Sequence, residues 1–193
     1  MKKLLVIVMI ALGFTANAQE IHFGVKAGVN FANLYGNDLD NDTRTSFHVG
    51  GVLEIELSDK FSLQPELIYS AQGAKRTMRF FGLPNIDYTT KVDYLNIPIM
   101  AKYYIIEGLS LEAGPQIGIN ILSEEKGESN GMSETSDLDV KSFDFGLNFG
   151  AGYKLENGLN FGVRYNLGLT DIPDGGNAEV KNGVFQLSVG YFF

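Results

Sequence analysis

The sequence predicts an all-β fold, an eight-stranded antiparallel transmembrane β-barrel with short periplasmic turns and long extracellular loops. Three observations support this prediction. Apolar residues recur at alternate positions in eight segments, short connections alternate with long ones, and the chain begins with an export signal. Alternation with a period of two is typical of strands with two different faces. Short turns on one rim and long loops on the other are typical of outer-membrane barrels.

The first 18 residues have the features of a secretory signal peptide. Lys2 and Lys3 precede an apolar run over 4–14, and a small-residue triplet follows at 16–18. The run is about half of the ~20 residues that a membrane-spanning helix needs. We therefore expect cleavage after Ala18 and an outer-membrane barrel domain over 19–193.

Composition narrows the class of protein further. The chain contains 23 glycines, 14 phenylalanines and 9 tyrosines, a mixture that favours strands, and it has no cysteine for a disulfide or a lipid anchor. Loss of the signal segment removes two lysines and no acid, so the net charge changes from -8 to -10. An acidic chain is a poor candidate for nucleic-acid binding.

The first four predicted strands cover 21–31, 47–57, 61–70 and 95–103. Odd-numbered positions are mostly apolar and even-numbered positions are mostly polar or glycine. The apolar faces begin, in order, with Ile21 and Phe23, Phe47 and Val49, Phe61 and Leu63, and Leu95 and Ile97. Each segment therefore has one face suited to an apolar environment.

The last four predicted strands cover 109–121, 143–153, 159–169 and 185–193. Their apolar faces begin with Leu109 and Leu111, Phe143 and Phe145, Leu159 and Phe161, and Phe185 and Leu187. Short turns are predicted at 58–60, 107–108 and 156–158, and long loops at 36–45, 73–90, 123–139 and 171–182.

A soluble barrel would show the same alternation, so the second face decides between the two environments. That face is glycine, serine and asparagine with scattered charges, and it lacks the dense lysine and glutamate cover of a soluble surface. It suits a filled polar lumen, whereas the aromatic face suits lipid. Closure of the barrel also removes the sheet edges that hydrocarbon does not tolerate.

Several stretches resemble the outer-membrane β-barrel family that includes PorT-like proteins. They are 23–31 (FGVKAGVNF), 63–69 (LQPELIY), 94–99 (YLNIPI), 150–153 (GAGY) and 164–172 (RYNLGLTDI). The resemblance implies a barrel in the outer membrane and, through the PorT-like members, a link to protein secretion. The terminal segment with Tyr191 and Phe193 resembles the aromatic ending that the barrel-assembly machinery recognises.

Three prolines lie inside predicted strands, where a missing N–H weakens the ladder. We expect a bulge or a locally broken ladder at Pro65, Pro98 and Pro115.

Charged residues on the lumen face are expected to form a structural network of ion pairs, because eight strands leave an interior that side chains fill. The alternative is an ion or proton path. The expected members are Lys26, Glu54, Glu56, Glu66, Lys102, Glu112, Asp144, Lys154 and Arg164.

His22 and His48 are the two candidate general bases, beside Ser46 or Ser70. Neither has a recognisable Ser/His/acid motif around it. We therefore interpret both histidines as hydrogen-bonded interior residues and expect no catalytic site.

Asp38, Asp40 and Asp42 have the alternate spacing of a calcium loop. Thr43 and Val49 stand where an EF-hand requires glycine and glutamate, so that interpretation fails. A weak divalent-ion site and a solvated turn remain as alternatives, and no metal site is assigned.

The predicted loop over 73–90 concentrates positive charge and aromatic residues in an otherwise acidic chain. Its residues Lys75, Arg76, Arg79, Phe80 and Phe81 are the hypothetical interaction site. The alternative is an ordinary extended hairpin.

These observations predict a non-enzymatic outer-membrane protein without a cofactor, with a structural or interaction role. An accessory function in protein secretion or envelope assembly is one form of that role. The alternatives are a surface adhesin acting through its loops, an outer-membrane hydrolase and a narrow channel. Expected partners are outer-membrane lipid, the barrel-assembly machinery and envelope or secretion proteins.

Overall fold

The fold is a closed antiparallel β-barrel. The computed structural model describes residues 20–36, 41–78, 85–129, 132–174 and 179–193, so the predicted signal peptide lies outside the described residues. The strands are β1 (Ile21–Gly36), β2 (Asp42–Ser58), β3 (Phe61–Ser70), β4 (Gly73–Met78), β5 (Ile86–Ile106), β6 (Leu109–Ser129), β7 (Met132–Asp137), β8 (Phe143–Lys154), β9 (Leu159–Gly168) and β10 (Val180–Phe192). Among the described residues, no helix is long and apolar enough to cross a membrane.

Eight strands form the ring in the order β1-β2-β3-β5-β6-β8-β9-β10, and β10 closes on β1 from Gly24↔Phe192 to Gly36↔Val180. The other two strands extend this ring rather than add to it. After a break, β4 continues β3 along β5, and β7 pairs with β6 beyond the end of β8. The predicted eight-stranded antiparallel barrel is confirmed.

The two faces of the barrel differ as the alternation predicted. Odd-numbered apolar residues on the outside are exposed, as Leu147 is, while the neighbouring Asn148 points inward and is fully buried. Buried polar side chains outnumber buried apolar ones in the interior. This distribution, with apolar residues outside and polar residues inside, is the reverse of that in a soluble protein and requires lipid around the outer face.

Paired aromatic rings lie on the outer surface near both rims. Phe61 and Tyr103 have ring centroids 4.9 Å apart near one rim, and Phe47 and Tyr69 have centroids 5.5 Å apart near the other. Aromatic rings at these two levels correspond to the girdles that flank the apolar band of membrane barrels.

The short turns have the positions that the sequence predicted. Gly108 and Gly158 adopt φ values of 80° and 88°, a left-handed backbone that glycine adopts without steric cost. The start of β1, the end of β10 and these turns share one rim, which is the periplasmic rim by the usual topology of such barrels.

The opposite rim differs from the prediction, because two of the four predicted loops are largely strand. We define the extracellular sheet as β4, residues 86–92 of β5, residues 122–129 of β6, and β7. Its strands pair in the order β4-β5-β6-β7 and project beyond the barrel mouth. Beyond Ala74 and Val92, which are buried at the barrel mouth, both faces of this sheet meet water, so its sequence carries no apolar alternation.

A β-bulge separates the extracellular sheet from the barrel. Asn120 pairs with Tyr94 and Leu122 pairs with Asp93, so Ile121 is an extra residue in β6. Before the bulge, the even-numbered residues of β6 face inward. Beyond the bulge, the odd-numbered residues face inward, beginning with Ser123, which pairs with the buried Val92.

The three prolines mark local breaks in the ladder, as one of the two expected alternatives, and not bulges. Register shifts fall at Glu56/Ser58, Asp93/Tyr94 and Tyr104/Ile106 instead. Pairing skips Pro65 in the β2–β3 ladder, Pro98 in the β3–β5 ladder and Pro115 in the β5–β6 ladder, each with one neighbouring residue, and then resumes in the same register. The missing N–H breaks the ladder locally without displacing the strand.

Candidate functional site

A cluster of four charged side chains crosses the middle of the lumen. It contains Lys26 of β1, Glu66 of β3, Glu112 of β6 and Arg164 of β9, and we call it the central cluster. Glu66 and Arg164 stand on opposite sides of the eight-stranded ring. Each side chain projects inward because it occupies an even position on its strand, as the alternation predicted.

Glu66 is the hub of the central cluster. Arg164 Nη1 and Nη2 donate to Glu66 Oε2 and Oε1 at 2.9 and 2.8 Å, a bidentate pair. Lys26 Nζ lies 2.8 Å from Glu66 Oε2, and Arg164 Nη2 lies 2.9 Å from Glu112 Oε2. Two cations thus neutralise two carboxylates where an uncompensated charge would be costly.

A second cluster lies nearer the periplasmic rim and is called the periplasmic cluster. Lys102 and Lys154 lie 3.0 and 2.9 Å from the two carboxylate oxygens of Glu54. Lys154 also lies 3.5 Å from Glu56, and the Tyr104 hydroxyl donates to Glu54. This cluster is also balanced, with two lysines and two glutamates.

Eight of the nine lumen charges singled out from the sequence therefore lie in two neutral clusters, while Asp144 lies in neither. Asn182 Nδ2 donates to Asp144 Oδ2 at 3.1 Å, and the buried Oδ1 has no hydrogen-bond partner among the described residues. Alternation places Asp144 on the correct face, but it does not predict which side chains meet across the lumen.

The lumen is filled at the central cluster. The cavity bordered by Lys26, His48, Glu66 and Arg164 measures about 10 Å³. A cavity needs roughly 10–15 Å³ to hold one water molecule. The described side chains therefore leave space for about one water at this level, rather than a passage.

His48 lies in an amide layer above the central cluster. Its Nδ1 is 2.8 Å from Asn30 Oδ1, while Asn30 Nδ2 donates to Ser70 Oγ at 3.0 Å. Ser46 Oγ donates to the Ala71 carbonyl at 2.7 Å. No hydrogen bond within the described ranges joins either histidine to a serine, and His22 lies far away at the periplasmic rim.

A small apolar core closes the extracellular mouth. Leu34, Ala74, Val92, Tyr94 and Ile172 are all buried together. The segment before β8 and the first residue of β10 hold Ile172 in place, since Lys141 N donates to the Ile172 carbonyl and Ile172 N donates to the Val180 carbonyl, both at 2.8 Å. This core forms a second seal above the polar lumen.

An ion pair beside this core was missed by the sequence analysis. Arg44 Nη1 lies 3.3 Å from Asp93 Oδ1, and Tyr69 donates to Asp93 Oδ2 at 2.7 Å. Arg44 also donates to the Gln72 carbonyl, at the break between β3 and β4. Sequence analysis placed Arg44 in a loop, and Asp93 lies just outside the predicted fourth strand.

The hypothetical interaction site is only partly described. Lys75 and Arg76 lie on β4 rather than in a loop, opposite Thr89 and Tyr88, and therefore on opposite faces of the sheet. The Arg76 guanidinium carbon stands 5.5 Å from the centroid of the Tyr88 ring. Arg79, Phe80 and Phe81 lie outside the described residues.

The aspartates considered for a divalent ion are also only partly described. Asp42 begins β2 and pairs with Lys75 in the β2–β4 ladder, whereas Asp38 and Asp40 fall outside the described ranges. At the other rim, Tyr191 and Phe193, the residues of the expected assembly signal, are exposed with ring centroids 5.5 Å apart.

The extracellular sheet carries a groove of about 360 Å³ on its inward face. The groove is lined by Ile86, Tyr88, Glu125, Gly127, Ser129, Met132, Glu134 and Ser136. These residues share one face because the bulge at Ile121 places the odd-numbered residues of β6 opposite the even-numbered residues of β5. Gly127 leaves the Tyr88 ring open, since a Cβ there would lie 3.3 Å from the ring.

The closed ring, the lipid-facing apolar surface and the paired charges of the lumen define an outer-membrane β-barrel. The sequence model of the family described as outer membrane protein beta-barrel domain matches residues 17–174. The chain belongs to this family. The match confirms the outer-membrane barrel part of the predicted resemblance and does not distinguish PorT-like proteins within it. A search of curated protein sequences gives no match.

Solved structures with a similar fold are surface barrels of other bacteria. The attachment invasion locus protein Ail of Yersinia pestis is 16% identical, with a TM-score of 0.53, covering 90% of this chain and 99% of that chain. A structure of Ail with the heparin analogue sucrose octasulfate is similar, at 17% identity, a TM-score of 0.52 and the same coverage. Neisserial surface protein A is 10% identical, with a TM-score of 0.52, covering 92% of this chain and 100% of that chain. At such identities the likeness concerns the fold.

Proposed function

We propose that the protein is a non-conducting, non-enzymatic outer-membrane barrel that holds the extracellular sheet as a binding surface for a basic, amphipathic protein segment. The observation that carries this proposal is a difference in ion pairing. Glutamates on the outward face of the sheet are paired with lysines, whereas the glutamates of the groove make no ion pair with the described residues.

Two carboxylates of the outward face, those of Glu124 and Glu128, have lysine partners within the sheet. Lys91 Nζ lies 2.6 Å from Glu124 Oε1, and Lys126 Nζ lies 2.5 Å from Glu128 Oε1. Thr77 also donates to Asp87 at 2.7 Å. This face therefore offers little net charge to a partner.

The carboxylates of the groove are different. Within the described residues, neither Glu125 nor Glu134 makes an ion pair, and Glu125 accepts only a hydrogen bond of 3.1 Å from Thr90. Ile86 and Met132 supply apolar surface beside them. A segment with lysine or arginine next to an apolar residue would match this pattern of charge and surface.

The exposed edge of β7 adds a backbone contribution. This strand ends the sheet order and is exposed along its whole length. An extended segment that pairs with a free strand edge gains main-chain hydrogen bonds, while its side chains supply specificity. The groove and the edge together suit an extended chain.

The comparison with Ail sharpens the chemistry of the partner. Ail has been crystallised with sucrose octasulfate, which is a polyanion. The acidic groove of this chain would repel such a ligand. The proposal therefore keeps the interaction role that the shared barrel architecture allows but assigns a cationic partner to this chain.

Peptide binding by the full barrel in zwitterionic nanodiscs would test the proposal, with empty nanodiscs as the blank. The probe is a labelled synthetic peptide of alternating lysine and threonine with two tyrosines. The double variant E125Q/E134Q should bind about tenfold more weakly, because two surface ion pairs contribute up to ~1 kcal/mol each and 1.4 kcal/mol is a tenfold change.

The matched control is E124Q/E128Q, which removes two charges from the outward face. It should bind the peptide within about twofold of the wild type, since its carboxylates are already paired. Equal losses in the two double variants would reduce the effect to net charge and contradict the groove. Absence of peptide binding by the wild type would also contradict it.

Planar-bilayer recordings test the non-conducting part of the proposal. The bidentate Glu66–Arg164 pair spans the lumen between opposite strands, so we expect no discrete conductance steps from the wild type. Reproducible single-channel steps would instead favour the narrow channel.

A second candidate function is an accessory role in secretion or envelope assembly, favoured by a pocket of about 490 Å³ at the periplasmic rim. Ile106 and Leu155 lie there beside charged residues such as Asp59 and Glu107. This surface faces the compartment that exported proteins cross, and it would suit a segment of an envelope protein. A deletion strain with unchanged secreted proteins and envelope integrity would count against this role.

A further inference from the structure

Three side chains with metal-binding groups converge at the periplasmic rim. One of them, Glu56, is also the outer member of the periplasmic cluster. Glu20 directly precedes β1, His22 is the second residue of β1, and Glu56 lies on the neighbouring strand β2. Glu56 N donates to the Glu20 carbonyl at 3.0 Å, so the backbone ladder sets the relative position of the two glutamates. Alternate residues of a strand project to the same side.

The distances between the candidate ligand atoms match those around a small cation. His22 Nε2 lies 3.3 Å from Glu56 Oε1 and 3.7 Å from Glu20 Oε2. The three ligand atoms lie within 4.8 Å of one another. Nitrogen and oxygen ligands placed ~2.0–2.1 Å from a tetrahedral zinc ion are about 3.4 Å apart, so small side-chain rotations would complete the geometry.

We propose that Glu20, His22 and Glu56 form a binding site for a divalent transition metal, with zinc as the best-matched ion. An imidazole nitrogen with two carboxylates suits zinc and its neighbours, whereas calcium and magnesium prefer oxygen ligands alone. Three protein ligands leave one tetrahedral position for water.

The surroundings of the site permit the ion to enter. The side chains of His22 and Glu56 are 30% and 37% exposed, and that of Glu20 is 78% exposed. Because the site lies at the rim, an ion can reach it from the periplasm without the separation of any barrel strands. His48, in contrast, is buried in the lumen.

Lys154 is the neighbouring cation that competes with a metal. Its Nζ lies 3.5 Å from Glu56 Oε1, but it also lies 2.9 Å from Glu54 Oε2. Lys154 therefore keeps a carboxylate partner when Glu56 turns to a metal. The bound ion would replace a weak contact of Glu56 and tie the beginning of β1 to β2.

Zinc titration of the full barrel, purified in detergent without a histidine tag, tests the site. Calorimetry should show one zinc per chain, and cobalt should give the visible absorption bands of a tetrahedral site. His22→Ala and Glu56→Gln should each weaken zinc binding at least about tenfold, as expected when one of three ligands is lost.

The other histidine provides the matched control. His48→Gln keeps a polar group in the lumen and should leave zinc affinity unchanged, and heat-dependent electrophoretic mobility verifies that every variant is a folded barrel. Loss of zinc binding in His22→Ala and Glu56→Gln, with retention in His48→Gln, would support the site. A wild type that binds no zinc at micromolar concentrations, or a His22→Ala variant that binds as tightly as the wild type, would overturn it.

Discussion

The lumen and the extracellular sheet treat their charges differently. In the central cluster every charged group has an opposite partner within 3 Å, as Glu66 has with Lys26 and Arg164. In the extracellular sheet, pairs such as Lys91–Glu124 stand on one face while Glu125 and Glu134 make no ion pair with the described residues. Burial makes pairing obligatory in the lumen, whereas water makes it optional in the sheet. Burial therefore accounts for the pairs of the lumen, whereas the charges of the sheet are free to be arranged for a partner.

Removal of the hub of the central cluster should have the largest effect. Glu66→Ala leaves Lys26 and Arg164 buried without their shared carboxylate, so the free energy of unfolding should fall by about 3–5 kcal/mol. Urea unfolding followed by circular dichroism and by heat-dependent electrophoretic mobility measures this loss. Glu134→Ala in the extracellular sheet is the control and should change stability by less than about 0.5 kcal/mol. Similar losses in both variants would mean that burial does not separate the two regions.

A new charge on the lipid face should have the next largest effect. Leu147→Arg places a cation in the apolar band and should cost about 2–4 kcal/mol in a bilayer folding assay. Met132 is 77% exposed in the extracellular sheet, and Met132→Arg should lie within about 0.5 kcal/mol of the wild type. If both arginines are tolerated equally, the outer face around Leu147 does not contact lipid.

A substitution that keeps the charge but changes its geometry should have a smaller effect. Arg164→Lys retains a cation opposite Glu66 but cannot reproduce the bidentate bond, so we expect a loss of about 1–2 kcal/mol in the same urea assay. Lys126→Arg, at the exposed pair with Glu128, serves as the control and should be neutral. A neutral Arg164→Lys would show that charge alone maintains the central cluster.

The smallest effect is expected for the exposed pairs of the extracellular sheet. A double-mutant cycle of Lys91→Met and Glu124→Gln should give a coupling energy of about 0.2–1 kcal/mol. This coupling should decline as salt rises from low to molar concentration, because salt screens exposed charges. A coupling that is large and independent of salt would place this pair in an environment like that of the lumen.

The membrane-spanning part of the fold could be predicted because lipid and lumen impose opposite demands on alternate residues. Leu147 and Asn148 show this directly, one exposed on the outside and the other buried inside. The extracellular sheet could not be predicted in the same way, because water lies on both of its faces. Thr89 and Thr90 of β5, for example, look like loop residues although both are paired with β4 and β6.

The sequence could predict which residues belong to the candidate sites better than which of these residues contact each other. Alternation placed Glu66 and Arg164 on the inward face, but their bidentate contact joins two residues that are 98 positions apart in the sequence. Register and strand stagger around the ring determine such contacts, and neither is apparent in a single strand. The convergence of His22 with Glu56 at the rim has the same origin. The two residues lie on different strands and form no short sequence motif that would predict their contact.

The bulge at Ile121 has a consequence for how the binding preference of such a surface changes during evolution. If the same sequence formed a regular ladder beyond Tyr94, Glu124, Lys126 and Glu128 would turn inward in place of Glu125, Gly127 and Ser129. A slip of one residue at the membrane boundary would thus place three charged side chains where the groove now has one carboxylate, a glycine and a serine, without any substitution. The charge pattern of the groove is therefore set by strand register at the bulge, and a change of register there can alter recognition while the buried barrel stays intact.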